Sequence, residues 1–195
     1  MGLKEFEIKM ATVNETLLTA EEFLKLGPDE LPEHCELLEE KLVEFNVAAP
    51  LHGLLCARFA RHLGNHAEDA DAGHVLTNDA AVVTRRGPES VCGADISFYS
   101  YEKVPRGLIP AGFLDVAPEL VAEVLSPTDR WPATLMKVAE YLDASVKVVC
   151  VIDPEQHSIS VFRIDGSNAV LHDSDILTLP NILPGFELPL AKLFG

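Results

Sequence analysis

The sequence predicts an α/β chain of the α+β kind, a mixed β-sheet with helices on its faces. Three observations carry this. The predicted elements run strand, strand, strand, helix, strand, strand, an order that builds a mixed sheet. Lys147 to Ile152 is a continuous β-branched run, the pattern of a strand buried on both faces. The helical pattern before it follows another apolar run, Leu120 to Leu125, so the two strands and the helix form a βαβ candidate. The 195 residues, 48% of them hydrophobic, suffice for one domain with a real core, and no internal linker or repeat divides 1–195.

Each element has a local cause. Thr19-Ala20-Glu21-Glu22 is a capping box ahead of Phe23-Leu24-Lys25-Leu26, and Gly27-Pro28 ends that short helix. Cys35 to Val47 holds two apolar stretches around an acidic centre and reads as a hairpin, although Glu39-Glu40 is poor turn chemistry. Leu51 to Ala67 is a helix with Leu51, Leu54, Leu55, Arg58, Phe59, His62 and Leu63 on its stripe. Strands follow at His74–Thr84 and Ala94–Tyr99, separated by a turn at Arg85-Arg86-Gly87-Pro88. Pro105 to Pro118 is a loop. Trp131 to Asp143 is a helix that tolerates Pro132 in its first turn, with Leu135, Val138, Ala139 and Leu142 as its core stripe. Asp153-Pro154-Glu155 turns the Lys147 strand into a strand over Ser158–Ile164, and the tail holds short strands with turns at Pro180-Asn181 and Pro184-Gly185.

Composition excludes several classes. The net charge is −16, from 15 basic and 31 acidic residues. This opposes broad, non-specific nucleic-acid binding, which needs a basic footprint, but leaves room for a local groove or for metal ions that neutralise acids. No apolar run approaches the roughly 20 residues that span a bilayer. Met1 to Met10 lacks the apolar segment of a signal peptide, so a cytoplasmic chain is expected. Cys35, Cys56, Cys92 and Cys150 form no C-x-x-C pair and read as small, reduced thiols; a zinc site would need tighter grouping.

Glu123 is the anomaly. It interrupts Leu120-Val121-Ala122-Glu123-Val124-Leu125 and shares its face with Val121 and Leu125. An ionised carboxylate is costly there unless paired, hydrogen-bonded or bound to a cation. A structural ion pair is as good a reading as a site when Glu123 is taken alone. Asp95 opens the strand Ala94-Asp95-Ile96-Ser97-Phe98-Tyr99, opposite in face to Ile96 and Phe98, and alone reads as a solvent-facing acid. Lys137 lies on the flank of its helix beside Thr134 and Tyr141, and alone reads as an exposed lysine. Together the three make chemical sense. Two carboxylates on neighbouring strands suit a hard cation such as Mg²⁺, and a lysine beside them can orient water or offset charge on a phosphate. Without the cation, two close carboxylates repel and at least one pKa rises. The reaction class is metal-assisted phosphodiester hydrolysis.

An ordered series of segments carries a family resemblance over nearly the whole chain. It runs from Thr19–Leu24 through Cys35-Glu36-Leu37-Leu38, His52 and Ala94–Phe98. It continues through Glu119–Pro127, Lys137–Leu142 and Val151-Ile152-Asp153-Pro154 to Leu183–Pro189. The chain resembles the Uma-type family within the PD-(D/E)XK nuclease superfamily. That resemblance implies a restriction-endonuclease-like core and a DNA endonuclease. It implies that Asp95 and Glu123 bind Mg²⁺ or Mn²⁺. Lys137 replaces the lysine that other superfamily members place two residues after the glutamate, where this chain has Leu125. Glu36 is implied as a further acid at the site, and His52 as a weaker member. The chain departs from the family pattern at Ala94, Glu40-Lys41, Ser145 and Cys150, while the acids and Lys137 are all present.

Other features have plainer readings. His62 and His66 are spaced i, i+4 without an H-E-x-x-H pattern and read as satisfied helix histidines. Ser126 lacks the G-x-S-x-G context of a hydrolase elbow and reads as a strand end that caps the next turn. Glu68-Asp69-Ala70-Asp71 reads as a solvated loop. The leading expectation is a Mg²⁺-dependent DNA endonuclease. The alternatives are a non-catalytic binding or assembly module that keeps the fold, and a hydrolase of small phosphate esters. A homodimer suits the cutting of both strands of a duplex.

Overall fold

The computed structural model describes residues 17–27, 29–32, 35–44, 49–110 and 112–195. Met1–Met10, Pro28 and the 45–47 end of the expected hairpin segment lie outside them.

The elements follow the hydrophobic pattern. Helix α1 (Ala20–Lys25) starts on the expected capping box: Thr19 Oγ1 accepts from the Glu22 amide at 3.2 Å, and Glu22 accepts from the Thr19 amide at 2.8 Å. Strands β1 (Cys35–Leu38) and β2 (Lys41–Glu44) form an antiparallel hairpin. Its turn is Glu39-Glu40, with both residues at positive φ (48° and 65°), the primed geometry that usually selects Asn or Gly. Their amides are held by Ser90 Oγ and the Glu89 carbonyl, and Arg85 pairs with Glu39. Tertiary partners thus hold a turn that local preference disfavours.

Helix α2 (Pro50–Asp69) buries Leu55, Phe59, Leu63 and Ala67, one residue per turn. Each Leu or Phe so buried contributes roughly 1.5–3 kcal/mol. Leu51 and Leu54, expected on the stripe, are exposed, and the Arg58 guanidinium donates to the Leu193 carbonyl at 2.8 Å. The long strands β3 (Gly73–Arg86) and β4 (Glu89–Ser100) pair antiparallel, and β5 (Leu120–Val124) pairs antiparallel with the far half of β4. Helix α3 (Trp131–Asp143) then crosses over to β6 (Val148–Asp153), which runs parallel to β5, as the βαβ pattern requires. Strands β7 (Ser158–Arg163) and β8 (Asn168–His172) extend the sheet antiparallel.

The result is an α+β fold around a mixed eight-stranded sheet in the order β2-β1-β4-β5-β6-β7-β8, with β3 paired to β4. Strands β9 (Ile176–Leu179) and β10 (Leu183–Pro189) form a separate two-stranded sheet, and the chain closes on a short helix, α4 (Leu190–Phe194), absent from the expected tail. One core layer joins α2, α4 and the β9-β10 pair to one face of the large sheet through Phe59, Leu63, Ile96, Phe98, Ala122 and Leu188. The other lies under α3 and contains Cys92, Ala94, Val121, Val138, Tyr141, Val149 and Val151.

The helix α3 corrects the sequence reading. Val138 and Tyr141 are buried and Leu142 is partly so, but Leu135 is 45% exposed and Ala139 faces out. The inward face is therefore Thr134, Lys137, Val138 and Tyr141, rotated from the expected stripe. Lys137 lies on the buried side because two carboxylates await it there.

A bulge dominates the centre of the sheet. Thr77 pairs with Ile96 and Ala80 with Ala94, so Asn78 and Asp79 together oppose Asp95. Both bulge residues have positive φ (68° and 55°), a region that Asn and Asp tolerate better than most residues. Across it β4 changes allegiance: Cys92 and Ala94 pack in the layer under α3, Ile96 and Phe98 in the layer under α2. Asp95 stands at the changeover.

Candidate active site

Four elements carry the expected residues, and three of those residues meet directly, while Asp95 acts on Glu123 through its charge and makes its own contacts elsewhere. Glu36 comes from β1, Asp95 from β4, Glu123 from β5 and Lys137 from α3. Lys137 Nζ donates to Glu36 Oε1 at 2.8 Å, to the Gly93 carbonyl at 3.1 Å and to Glu123 Oε2 at 3.3 Å. Neither Lys137 nor Glu123 is alone, so the ion-pair reading of Glu123 and the site reading describe the same contact. Glu36 Oε1 also accepts from the Gly93 amide at 2.8 Å, which fixes the acid against the strand that carries Asp95.

Asp95 is not the solvent-facing acid that its strand alone suggests. The β4–β5 ladder stops at Ile96 and Ala122, and Asp95 Oδ2 takes over by accepting from the Val124 amide at 2.7 Å. The same oxygen lies 3.1 Å from His52 Nε2 on α2. Among the described residues Asp95 Oδ1 and Glu36 Oε2 have no protein partner, yet neither is sealed from solvent. Two carboxylate oxygens are thus free to bind something that enters from outside.

Tyr141 carries no charge to mark it in the sequence, yet it lies one helical turn beyond Lys137 on the same face. Its hydroxyl donates to Glu123 Oε1 at 2.7 Å. Gly93 gives no sequence signal either, because it contributes both backbone groups to the cluster and no side chain. Cys56, a free thiol as its spacing suggests, has its Sγ 3.6 Å from His52 Nδ1. Ser126 donates its amide to Asp129 Oδ2 at 2.7 Å, so Asp129 closes that turn. His66 is satisfied, with Nε2 3.1 Å from the Pro184 carbonyl.

The electrostatics follow from burial. Loss of water pushes the Glu123 carboxyl up to about 8, against the opposing pull of Lys137 and Tyr141 and with reinforcement from Asp95 and Glu36. Burial alone would lower Lys137, but Glu123 and Glu36 overcome it and hold the ammonium well above its usual range. Burial, then Glu123, raises Tyr141, so its hydroxyl stays a donor. The hydrogen bond to Asp95, then that to Cys56, holds His52 up at about 10. Lys137 therefore faces Glu36 and Glu123, His52 faces Asp95, and Glu123 retains its proton near neutrality. A divalent cation that displaced this proton would bring further positive charge to a site with unused oxygen donors. Carboxylate oxygens are the ligand type that suits Mg²⁺ or Mn²⁺, so the residues present fit such an ion by donor chemistry.

A mixed sheet flanked by helices, with a βαβ crossover at its centre, defines the class of a restriction-endonuclease-like fold. Residues 20–191 match the family model of Uma2, described as "Putative restriction endonuclease", and the chain belongs to that family. The structure is similar to a crystal structure of a "putative nuclease belonging to DUF820" from Anabaena variabilis ATCC 29413. The TM-score is 0.75 at 20% sequence identity, covering 91% of this chain and 97% of the other. No curated protein matches the sequence. Among the described residues no helix is long and apolar enough to cross a membrane.

Proposed function

We propose that this chain, as one domain over residues 1–195, is a metal-dependent DNA endonuclease. In this reading Asp95 and Glu123 hold Mg²⁺ or Mn²⁺. The observation that carries it is the position of Lys137, within hydrogen-bond reach of both Glu36 and Glu123. The family supports nuclease chemistry, and the free oxygens of Asp95 and Glu36 support a cation.

The protein groups divide the work. The cation, when bound, supplies Lewis-acid stabilisation of charge on the phosphate and activation of water. Lys137 presents an ammonium that orients the attacking water or neutralises a phosphate oxygen. Glu36 and the Gly93 carbonyl aim that ammonium. Tyr141 fixes one oxygen of Glu123 and leaves the other turned toward Lys137. His52, cationic and paired to Asp95, locks the rotamer of that acid. Two copies of the chain, related by a two-fold axis, would suit the two strands of a duplex.

Titration of Mg²⁺ or Mn²⁺ against supercoiled and linear DNA tests this reading. The wild type is expected to cut and the Asp95→Ala, Glu123→Ala double variant to be inactive; equal cutting by both would sink it. The net charge of −16 favours a second reading, a non-catalytic binding or assembly module on the same fold. That reading predicts no divalent-cation heat in calorimetry.

A further inference from the structure

We propose that His52, Cys56 and Asp95 form a second kind of cation site, an imidazole–thiolate–carboxylate set for a borderline transition metal of the zinc type. The acids around Lys137 offer only oxygen. This set offers one nitrogen, one sulfur and one oxygen. His52 and Cys56 are spaced i, i+4 on α2, so they project from one side of the helix one turn apart. They meet Asp95, which the Asn78-Asp79 bulge places opposite them. His52 Nε2 is 3.1 Å from Asp95 Oδ2, and Cys56 Sγ is 3.6 Å from His52 Nδ1. One ligand atom from each residue lies within 4.8 Å of the other two.

The two short contacts use different nitrogens of the His52 ring, only one of which can ligate an ion, so the spacing that counts is the wider triangle within 4.8 Å. Zinc bond lengths place the ligands of a tetrahedron about 3.3–3.6 Å apart, so closure needs a contraction of about 1 Å, within reach of side-chain rotation. All three residues are largely buried but not sealed, with the His52 side chain 13% and the Asp95 side chain 11% exposed. Three protein ligands and an open side are the pattern of a zinc ion that keeps a water. Nitrogen and sulfur donors select zinc or cobalt over magnesium, so the two donor sets discriminate by ligand type. Because Asp95 belongs to both, a zinc-type ion here would compete with the hard cation of the proposed nuclease site. That consequence rests on the nuclease reading, whereas the site itself does not.

Cobalt titration of the full chain tests the site without any assay of activity. The readout is thiolate-to-cobalt charge-transfer absorption in the near ultraviolet. The wild type is expected to show this band and to retain it in excess Mg²⁺. Cys56→Ser should abolish it, and His52→Ala should weaken cobalt binding at least about tenfold, since loss of even an outer-shell partner costs 10- to 100-fold. Glu123→Gln and Cys35→Ser should keep the band. Circular dichroism establishes that each variant is folded. A folded wild type without the band, a band that survives Cys56→Ser, or affinity unmoved by His52→Ala overturns the proposal. A chain that shows the band yet cuts no DNA keeps this site and sinks the nuclease reading.

Discussion

Lys137 Nζ lies 3.3 Å from Glu123 Oε2, although the two residues are 14 positions apart and sit on α3 and β5. The strand position two residues after Glu123 is Leu125, which packs against the core under α3. The charge is therefore supplied from the helix above the strand, and the register of α3 sets its reach. Replacing Lys137 with Met should lower Mn²⁺-dependent DNA cleavage by about 10²–10³-fold, the usual loss when one electrostatic donor is removed. Lys137→Met combined with Leu125→Lys should recover a measurable part of the rate, because both positions face Glu123. Plasmid nicking rates for the three proteins check this, and a Lys137→Met chain that cuts at the wild-type rate would remove the lysine from the mechanism.

Cation binding should release a proton near neutral pH. Burial raises Glu123 to about 8, so without a cation this carboxyl is largely protonated at pH 7. A cation that binds it must displace the proton. Apparent affinity should then rise about tenfold per pH unit up to about 8 and level off above it. The same shift has a stability consequence of fixed sign. Between the ordinary carboxyl value of 4.5 and about 8 the folded chain holds more proton than the unfolded one. The contribution of Glu123 to cation-free stability therefore declines as pH climbs through that window. Calorimetry in two buffers of different protonation enthalpy measures the released proton, and Glu123→Gln should abolish both the release and the decline.

The site was legible where one charge broke an apolar pattern. Glu123 stands out in its strand, and the capping box at Thr19 and the βαβ crossover follow from local rules. Lys137 was visible only as a flank residue. The sequence assigned Leu135 to the core and left Tyr141 beside it, because hydrophobicity cannot report that a buried acid will recruit a hydroxyl and an ammonium. Asp95 was harder still. Its environment is set by the Asn78-Asp79 bulge on another strand, for which the only local signal is two residues that tolerate positive φ. The pairing of Cys56 and His52 with Asp95 needs the packing of α2 against β4, and no spacing within one element announces it. Helix α4 is five residues long, too short for a periodic signal.

Tyr141 should tune Glu123 rather than perform chemistry. Its hydroxyl donates 2.7 Å to Glu123 Oε1 and helps to hold that carboxyl down against burial. Tyr141→Phe removes the donor and keeps the ring in its buried place. The expected cost is about 1–3 kcal/mol of stability, the range for leaving a buried partner unsatisfied. The pH midpoint of cation affinity should move upward, because Glu123 loses a group that favours its charged form. Thermal unfolding and the pH profile of Mn²⁺ binding measure the two effects, and an unshifted midpoint would mean that Tyr141 serves packing alone.

Gly93 joins the bulge to the lysine and offers the most local test of that link. Its amide donates to Glu36 Oε1 and its carbonyl accepts from Lys137, so the residue is clamped on both sides. An added Cβ would stand 3.0 Å from Asp79 Cβ and 3.2 Å from the Asp79 carbonyl, closer than ordinary contact. The bulge has to give way, and the bulge sets Asp95. Gly93→Ala should therefore cost about 1–3 kcal/mol, the range for overpacking, and should weaken Mn²⁺ binding as well. Gly64, inside α2, has nothing within 4 Å of an added Cβ. Gly64→Ala should raise stability by about 0.5–1 kcal/mol through helix propensity and leave Mn²⁺ affinity unchanged. Denaturant unfolding and Mn²⁺ titration of the two variants separate a backbone effect at the site from a general one; equal cation affinity in both would break the proposed coupling between the bulge and Asp95.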